Sequence, residues 1–556
     1  MSAGSRLILA APHPAALAAA RRAAERGGNA VDAALAAAAA LTVVYPHQCS
    51  LGGDLIALVH SPDGAVRAIV SAGAAAQNVD VEALRAADQR MPAQGPQTVT
   101  VPGVVAGWAA LAESYGTPGT LASTLRDAAE LAENGATVSA GLARAVSERA
   151  TQIAADPGLT ALLTDPDGAP LTEGAPLPQP QLAAVLRSLA DDPWSFYRGA
   201  VAEALVDGLR KAGSPLTAAD LAAHRAETVE PLVLDTADTR WWAAPPPSQG
   251  ATLLAVLATA ATKLPEPAVL SGTGELRCAT APLQGRGELR DQPPPARSEQ
   301  PTYPAEHLAP LCQDASAARD RLLADPRGSQ PNLDGMLHPA PLAGAQPPKP
   351  PSRPAGDTVA ITAVDDSGLA ISLIQSVYQT FGSGICDPAT GIVLHNRGSA
   401  FSLDPGHPAL IGPGLRPPHT LCPVLGRSAD LLLAAGCQGG RAQPQILAQT
   451  VPALMDPDAD PATVLDRPRW VVGARDIGHE TQTLLAEPGA VPATTATLPS
   501  GLPVVVAPGR TDLAGHTQVV RLSADGRLDG AADPRADGGT VLCGGPASPL
   551  PEGTPA

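Results

Sequence analysis

The sequence predicts an α+β fold, helix-rich in its first half and β-rich in its second. Three observations carry that reading. Residues 15–44 are almost all helix formers, broken only at Gly27-Gly28-Asn29. Apolar residues alternate on both sides of two turn signals, Pro62-Asp63-Gly64 and Asp365-Asp366-Ser367-Gly368. A proline-rich stretch, 338–356, divides the halves.

Gly27-Gly28 supplies a helix stop and Asn29 a new start, so residues 15–44 read as a helical hairpin, with Asn29 and Asp32 capping and anchoring its second helix. The longest apolar run, 35–44, falls well short of the roughly 20 residues a membrane span needs, and reads as a buried helix. Runs 55–60 and 65–70 flank the Pro-Asp-Gly turn as a β-hairpin entering a sheet. Helical segments are expected from there to about Ala261. In 283–304 and 338–356 proline and glycine displace apolar periodicity, which predicts exposed chain and, for the second, a linker. Residues 358–376 alternate as two strands around the Asp365–Gly368 turn and open a β-rich region that ends in 517–538.

The 556 residues suffice for several domains or one large multilayer enzyme. With 44% hydrophobic and 2% aromatic residues, the core must be packed from Ala, Val and Leu, and few rings remain for stacking on nucleic acid bases. A net charge of −17 repels phosphate backbones and anionic membranes, so neither nucleic acid nor membrane is an expected partner. The seven cysteines are odd in number, scattered and never spaced CxxC, which suggests neither a disulfide framework nor a zinc site. The apolar run 7–11 ends at Pro12 and is too short for a signal-peptide core, so a cytoplasmic protein is expected.

Thr358, opening a strand directly after the linker, is the chemical candidate. A threonine whose α-amino group is freed by chain cleavage carries nucleophile and base on one residue. The amine's ordinary pKa of about 7.7–8.0 leaves a useful unprotonated fraction near neutrality. Threonine also opens many ordinary strands, and the residue pattern alone leaves that alternative open.

Segments 28–59, 101–117, 356–368, 381–408, 416–424, 436–445 and 515–538 resemble, in order, the γ-glutamyltranspeptidase family. They include GNAVDAALAAAAALTVVYPHQCSLGGDLIALV, GDTVAITAVDDSG, HNRGSAF and GCQGGRAQPQ. The resemblance extends to its branch with oxamate amidohydrolase and to the C–C-cleaving homologues of lincosamide and pyrrolobenzodiazepine biosynthesis, hence to secondary metabolism. It implies a four-layer αββα N-terminal-nucleophile fold made as one precursor that cleaves itself before Thr358. The products would be a large subunit, 1–357, and a small subunit, 358–556. It further implies that Thr358 attacks the scissile carbonyl, that the Ser376 hydroxyl bonds to it in place of the usual threonine, and that Gly439-Gly440 supplies oxyanion-binding N–H groups. No metal or organic cofactor is implied, and a further homo-oligomer is left open.

The departures concern substrate recognition. Where transpeptidases place an arginine for the γ-glutamyl carboxylate, this chain reads SAGAAAQN over 71–78. The family's serine pair falls on His419-Thr420, and its acidic residue on Ser399 or Ala400. Only 403–415 separates Ser402 from Arg416, so the long lid of some transpeptidases is absent and a more open pocket is expected. Arg397, Arg441, His419, Thr420 and Tyr378 are the candidate substrate contacts. A salt bridge for either arginine, and a core position for His419 or Tyr378, stay open. Cys386, Cys422 and Cys437 read as small buried hydrophobes. The expected activity is acyl-enzyme hydrolysis of an amide, or of an activated C–C bond, in a small acidic metabolite. The alternatives are true γ-glutamyl transfer or hydrolysis and a silent binding homologue.

Overall fold

The computed structural model describes residues 6–263, 275–278, 303–341 and 356–544. The chain begins with β1 (Leu7–Ala11), helices α1 (Pro14–Glu25) and α2 (Ala30–Val44), and the hairpin β2 (Asp54–His60) and β3 (Val66–Ser71). A helical stretch follows, including α3 (Val104–Tyr115), α4 (Thr120–Asn134) and α5 (Pro180–Asp191). It gives way to β4 (Glu227–Val229), β5 (Leu232–Asp235), β6 (Arg240–Ala243), α6 (Gly250–Lys263), β7 (Glu275–Cys278) and α7 (Ala305–Leu322). The remaining main elements are β8 (Gly356–Asp365), β9 (Ala370–Gln379), β10 (Val424–Arg427), β11 (Leu431–Cys437), α8 (Gln443–Leu454), β12 (Thr517–Ser523), β13 (Leu528–Ala532) and β14 (Gly539–Cys543).

These strands form two seven-stranded sheets, ordered β14-β1-β8-β9-β2-β3-β4 and β13-β12-β11-β10-β6-β5-β7. Strand alternation then sorts the side chains into layers. Leu7, Leu9 and Ala11 of β1, with Val359, Ile361 and Ala363 of β8, pack under α1 and α2. Their neighbours Ile8, Ala10, Ala360 and Val364 face Leu425, Leu432, Ala434 and Val520 of the second sheet. That sheet's outer face, through Leu433, Ala435 and Val519, is covered by α6, α7 and α8. The result is helix, sheet, sheet, helix, the αββα order expected.

Alanine does the packing that aromatics do elsewhere. Ala19 and Ala23 of α1 meet Ala36 and Ala40 of α2. The turn between these helices is closed by a capping box, with Asn29 Oδ1 accepting from the Val31 and Asp32 N–H groups and Asp32 Oδ2 accepting from the Asn29 N–H at 3.0 Å. Both hairpins appear where the turns predicted them.

The expectation of helix to Ala261 fails at β4, β5 and β6. Their apolar runs are only three or four residues long; β4 and β6 are held extended by remote pairing, as in Leu425 against Trp242 of β6, and β5 pairs with β6 across a short turn. Of the two proline-rich stretches, 283–302 and 342–355 lie outside the described residues. Strands from both sides of residue 357 contribute to both sheets: they interleave in the first, with β8 lying between β1 and β9 and β9 against β2, and meet at β10 and β6 in the second. Among the described residues no helix is long and apolar enough to cross a membrane.

Candidate active site

β8 and β9 pair with a register shift: Asp357 stands opposite Tyr378 and Val359 opposite Gln375, so that Ser376 and Val377 form a bulge of β9 opposite Thr358. The bulge turns the buried Thr358 side chain onto the Ser376 hydroxyl. Thr358 Oγ1 donates to Ser376 Oγ at 3.0 Å. Ser376 Oγ in turn donates to the Asp357 carbonyl oxygen at 2.6 Å and accepts from the Tyr378 N–H at 2.8 Å. The one proton of this hydroxyl is thus spent on the carbonyl immediately before Thr358, and both its lone pairs are taken. The Asp357 carboxyl accepts a hydrogen bond from Thr380 Oγ1. Burial pushes its pKa up to about 6, against the opposing pull of Thr380 and Arg149.

Gly439 and Gly440 follow β11 at φ 140° and 54°, and a Cβ on Gly439 would collide with Ile446. Glycine is needed here for both reasons. The turn Gly440–Ala442 packs against β8, and neither glycine N–H donates to a described group. Gln249 fixes the loop by donating to the carbonyls of Gly440 at 2.9 Å and Thr420 at 2.6 Å.

Arg397 is fully buried. Its Nη1 donates to Thr420 Oγ1 at 3.0 Å, its Nε and Nη2 have no hydrogen-bond partner among the described residues, and its guanidinium carbon lies 3.8 Å from the centre of the Tyr378 ring. The salt-bridge alternative is not what the structure shows for it. Burial lowers its pKa to about 10, opposed by Tyr378 and Asp54. Tyr378 has φ 80°, so it leaves the regular alternation that would keep it on the face of Ser376. Arg441 does form an ion pair, with Asp320 at 2.5 Å. His419 Nε2–H donates to the Asp54 carboxylate, Oδ2, at 3.1 Å, and Asp54 Oδ2 also lies 3.3 Å from His395 Nδ1. The two imidazoles hold the buried Asp54 carboxyl well below its usual range despite burial.

A cavity of about 300 Å³ opens beside these residues, and its wall includes Tyr378, His419, Thr420, Arg441, Arg90, Arg319, Asp320, Gln249 and Ser399. Thr358, Ser376 and Arg397 are not part of the wall. The wall holds three guanidinium groups and one carboxylate. Arg319 and Arg441 share Asp320, whereas Arg90 pairs with no described residue. Segment 403–415 lies over one side, with Leu403 and Ile411 packed on Ala75. Sequence reading missed Arg90, Arg319, Asp320, Gln249 and Thr380. Arg90, Arg319, Asp320 and Gln249 come from distant stretches with no motif, Thr380 stands one residue before a quoted segment, and Asp54 and His395 sat inside quoted segments. Cys386, Cys422 and Cys437 are buried free thiols, and burial pushes them up, Cys386 to about 12. They are unsuited to nucleophilic attack at neutral pH. Among the described residues no group of three or more His, Cys, Asp or Glu could hold a metal ion.

The buried histidines make stability acid-sensitive. Burial lowers His13, His224 and His419 to about 4 and His47 to about 3, from an ordinary 6.5. Between pH 6.5 and 4 the unfolded chain binds protons that the folded chain refuses, so stability falls as pH falls through this window. Each such proton is worth about 1.4 kcal/mol per pH unit. Thermal melts should drop steeply from pH 6.5 to 4.5; a flat profile there would show that these imidazoles are not held neutral.

Comparison with known proteins agrees with the geometry. The gamma-glutamyltranspeptidase family model matches residues 16–543. The chain is 36% identical to an oxamate amidohydrolase proenzyme of Klebsiella pneumoniae, covering 95% of this chain and 97% of that one. It is 32% identical to the glutathione hydrolase-like YwrD proenzyme of Bacillus subtilis, over 97% and 98%. A crystal structure of cephalosporin acylase from Bacillus halodurans superposes with a TM-score of 0.80 at 28% identity, covering 97% of this chain and 96% of the other. An αββα sandwich, a threonine and serine hydroxyl pair at a strand bulge and full-length similarity together assign the chain to the gamma-glutamyltranspeptidase family, as an N-terminal-nucleophile hydrolase.

Proposed function

We propose that this protein is an autoprocessing threonine hydrolase that cleaves the amide of a small acidic metabolite through an acyl-enzyme on Thr358. The observation that carries it is the Ser376 hydroxyl, bonded at once to Thr358 Oγ1 and to the Asp357 carbonyl oxygen. In the intact chain that hydrogen bond polarises the carbonyl while Thr358 Oγ1 stands next to it. Attack by Oγ1 transfers the Asp357 acyl group from nitrogen to oxygen, and the proton passes to the departing Thr358 nitrogen. Water then hydrolyses the ester, leaving the Asp357 carboxylate and a free Thr358 amine. Fragments 1–357 and 358–556 stay together because each supplies strands to both sheets.

In the cleaved protein the amine takes the proton from Oγ1 as it attacks the substrate carbonyl, and the Gly439 and Gly440 N–H groups receive the oxyanion. Ammonia or an amine leaves, and water releases the acid. A small cavity walled by Arg90, Arg319 and Arg441 suits a compact anion, and the oxamate amidohydrolase relative supports an amide of that class. No cation in 71–78 and no carboxylate at Ser399-Ala400 argue against a γ-glutamyl group. Ammonia release should be measured with oxamate and its short homologues, beside glutathione and a 2-oxo acid with an activated C–C bond. Turnover of the small amides is expected. Glutathione hydrolysis with kcat/KM at or above about 10⁴ M⁻¹s⁻¹, the low end for typical enzymes, would restore the γ-glutamyl reading, and cleavage of the 2-oxo acid alone would restore the C–C one.

A further inference from the structure

Arg397 has an arrangement that a structural arginine does not need. Nη1 is anchored on Thr420, while Nε and Nη2, the two donors that form the side-on edge of a guanidinium, are buried without a partner. That edge is the one a carboxylate grips with two parallel hydrogen bonds. The tyrosine that covers the guanidinium, Tyr378, sits in the cavity wall and holds a left-handed backbone conformation that non-glycine residues rarely adopt. Two contacts maintain it: its N–H on Ser376 Oγ and its strand pairing with Asp357.

We propose that Arg397 is the receptor for the substrate carboxylate and that Tyr378 covers it until cleavage of the chain before Thr358. This rests on the autoprocessing reading. The substrate carbonyl must take the place beside Thr358 and Ser376 that the Asp357 carbonyl holds in the uncleaved chain. Asp357 therefore has to leave, and Tyr378 loses its strand partner when it does. Freed from that pairing, Tyr378 relaxes from its left-handed conformation, its ring moves off the guanidinium, and Nε and Nη2 open to the cavity. The uncleaved chain is thereby unable to bind the acid it will later hydrolyse, and one event creates both nucleophile and receptor.

The test reads guanidinium access directly and needs no knowledge of the substrate. Phenylglyoxal labelling of Arg397, followed by peptide mass spectrometry, is compared between the cleaved protein and uncleaved Thr358→Ala. Labelling at least tenfold faster in the cleaved form, with protection by oxamate, is expected. In the Thr358→Ala background, Tyr378→Ala should also raise labelling at least tenfold, and Tyr378→Phe, which keeps the ring, should not. Equal labelling within twofold in cleaved and uncleaved protein overturns the cover, as does equal labelling of the Ala and Phe variants. Failure of the autoprocessing reading shows separately, as wild-type protein that stays a single band on a gel before any reagent is added.

Discussion

Thr358→Ala should leave one full-length chain where the wild type yields fragments of 357 residues and the remaining 199 of 556. The smaller wild-type fragment should begin Thr-Val-Ala-Ile on N-terminal sequencing. Both chemistries are vested in this residue: its hydroxyl attacks the Asp357 carbonyl during processing, and its amine and hydroxyl act together in turnover. The substitution deletes two atoms from a buried position between the paired residues Asp357 and Val359, so the fold should survive and the loss should be chemical. Thr358→Ser keeps the hydroxyl and should retain processing and measurable hydrolysis. A Thr358→Ala chain that is cut at the same bond as fast as the wild type would show that an outside protease does the cutting.

Local features were legible in the sequence and remote ones were not, for a physical reason. The helical pair at 14–44 and the hairpin that carries Thr358 and Ser376 are specified by nearby residues: Asn29 and Asp32 close their own cap, and the Asp365–Gly368 turn sets the register that places the two hydroxyls together. By contrast β4 and β6 have too few apolar residues to declare a strand, and become one because distant strands offer an edge: β3 for β4, and β10, almost two hundred residues away, for β6. The same separation hid the cavity's charge. Arg90, Arg319 and Asp320 meet at one wall only after folding. The GDT segment pointed to the nucleophile, but nothing in the pattern of alternation announced that Tyr378 would turn left-handed and lie on Arg397. Arg441, equally close to a quoted motif, is satisfied by Asp320. Sequence proximity to the site could not separate these two arginines; their partners could.

Ser376→Ala should slow processing by about 10²-fold or more, since removing one preorganised donor from a developing oxyanion costs about 10²–10³ in rate. The lost bond is the 2.6 Å contact to the Asp357 carbonyl. The same change strands two donors, the Tyr378 N–H and the Thr358 hydroxyl, which lose their common acceptor. A buried donor left unsatisfied costs about 1–3 kcal/mol, so the uncleaved variant should also melt at a lower temperature. The two effects are separable, because Ser376→Thr restores the hydroxyl and should recover both, whereas Ser376→Cys fills the space with a weak donor and should recover stability more than rate. Processing is followed as the decay of the full-length band, and melting is measured on each variant in the Thr358→Ala background, where no cleavage intervenes and the Tyr378 N–H is the one donor of the two that remains to be stranded. If Ser376→Ala is processed at the wild-type rate while melting lower, the hydroxyl serves the strand pairing of Tyr378 and not the chemistry of Thr358. In that case polarisation of the Asp357 carbonyl would have to come from the N–H groups of Gly439 and Gly440, which donate to no described group and against whose turn β8 packs.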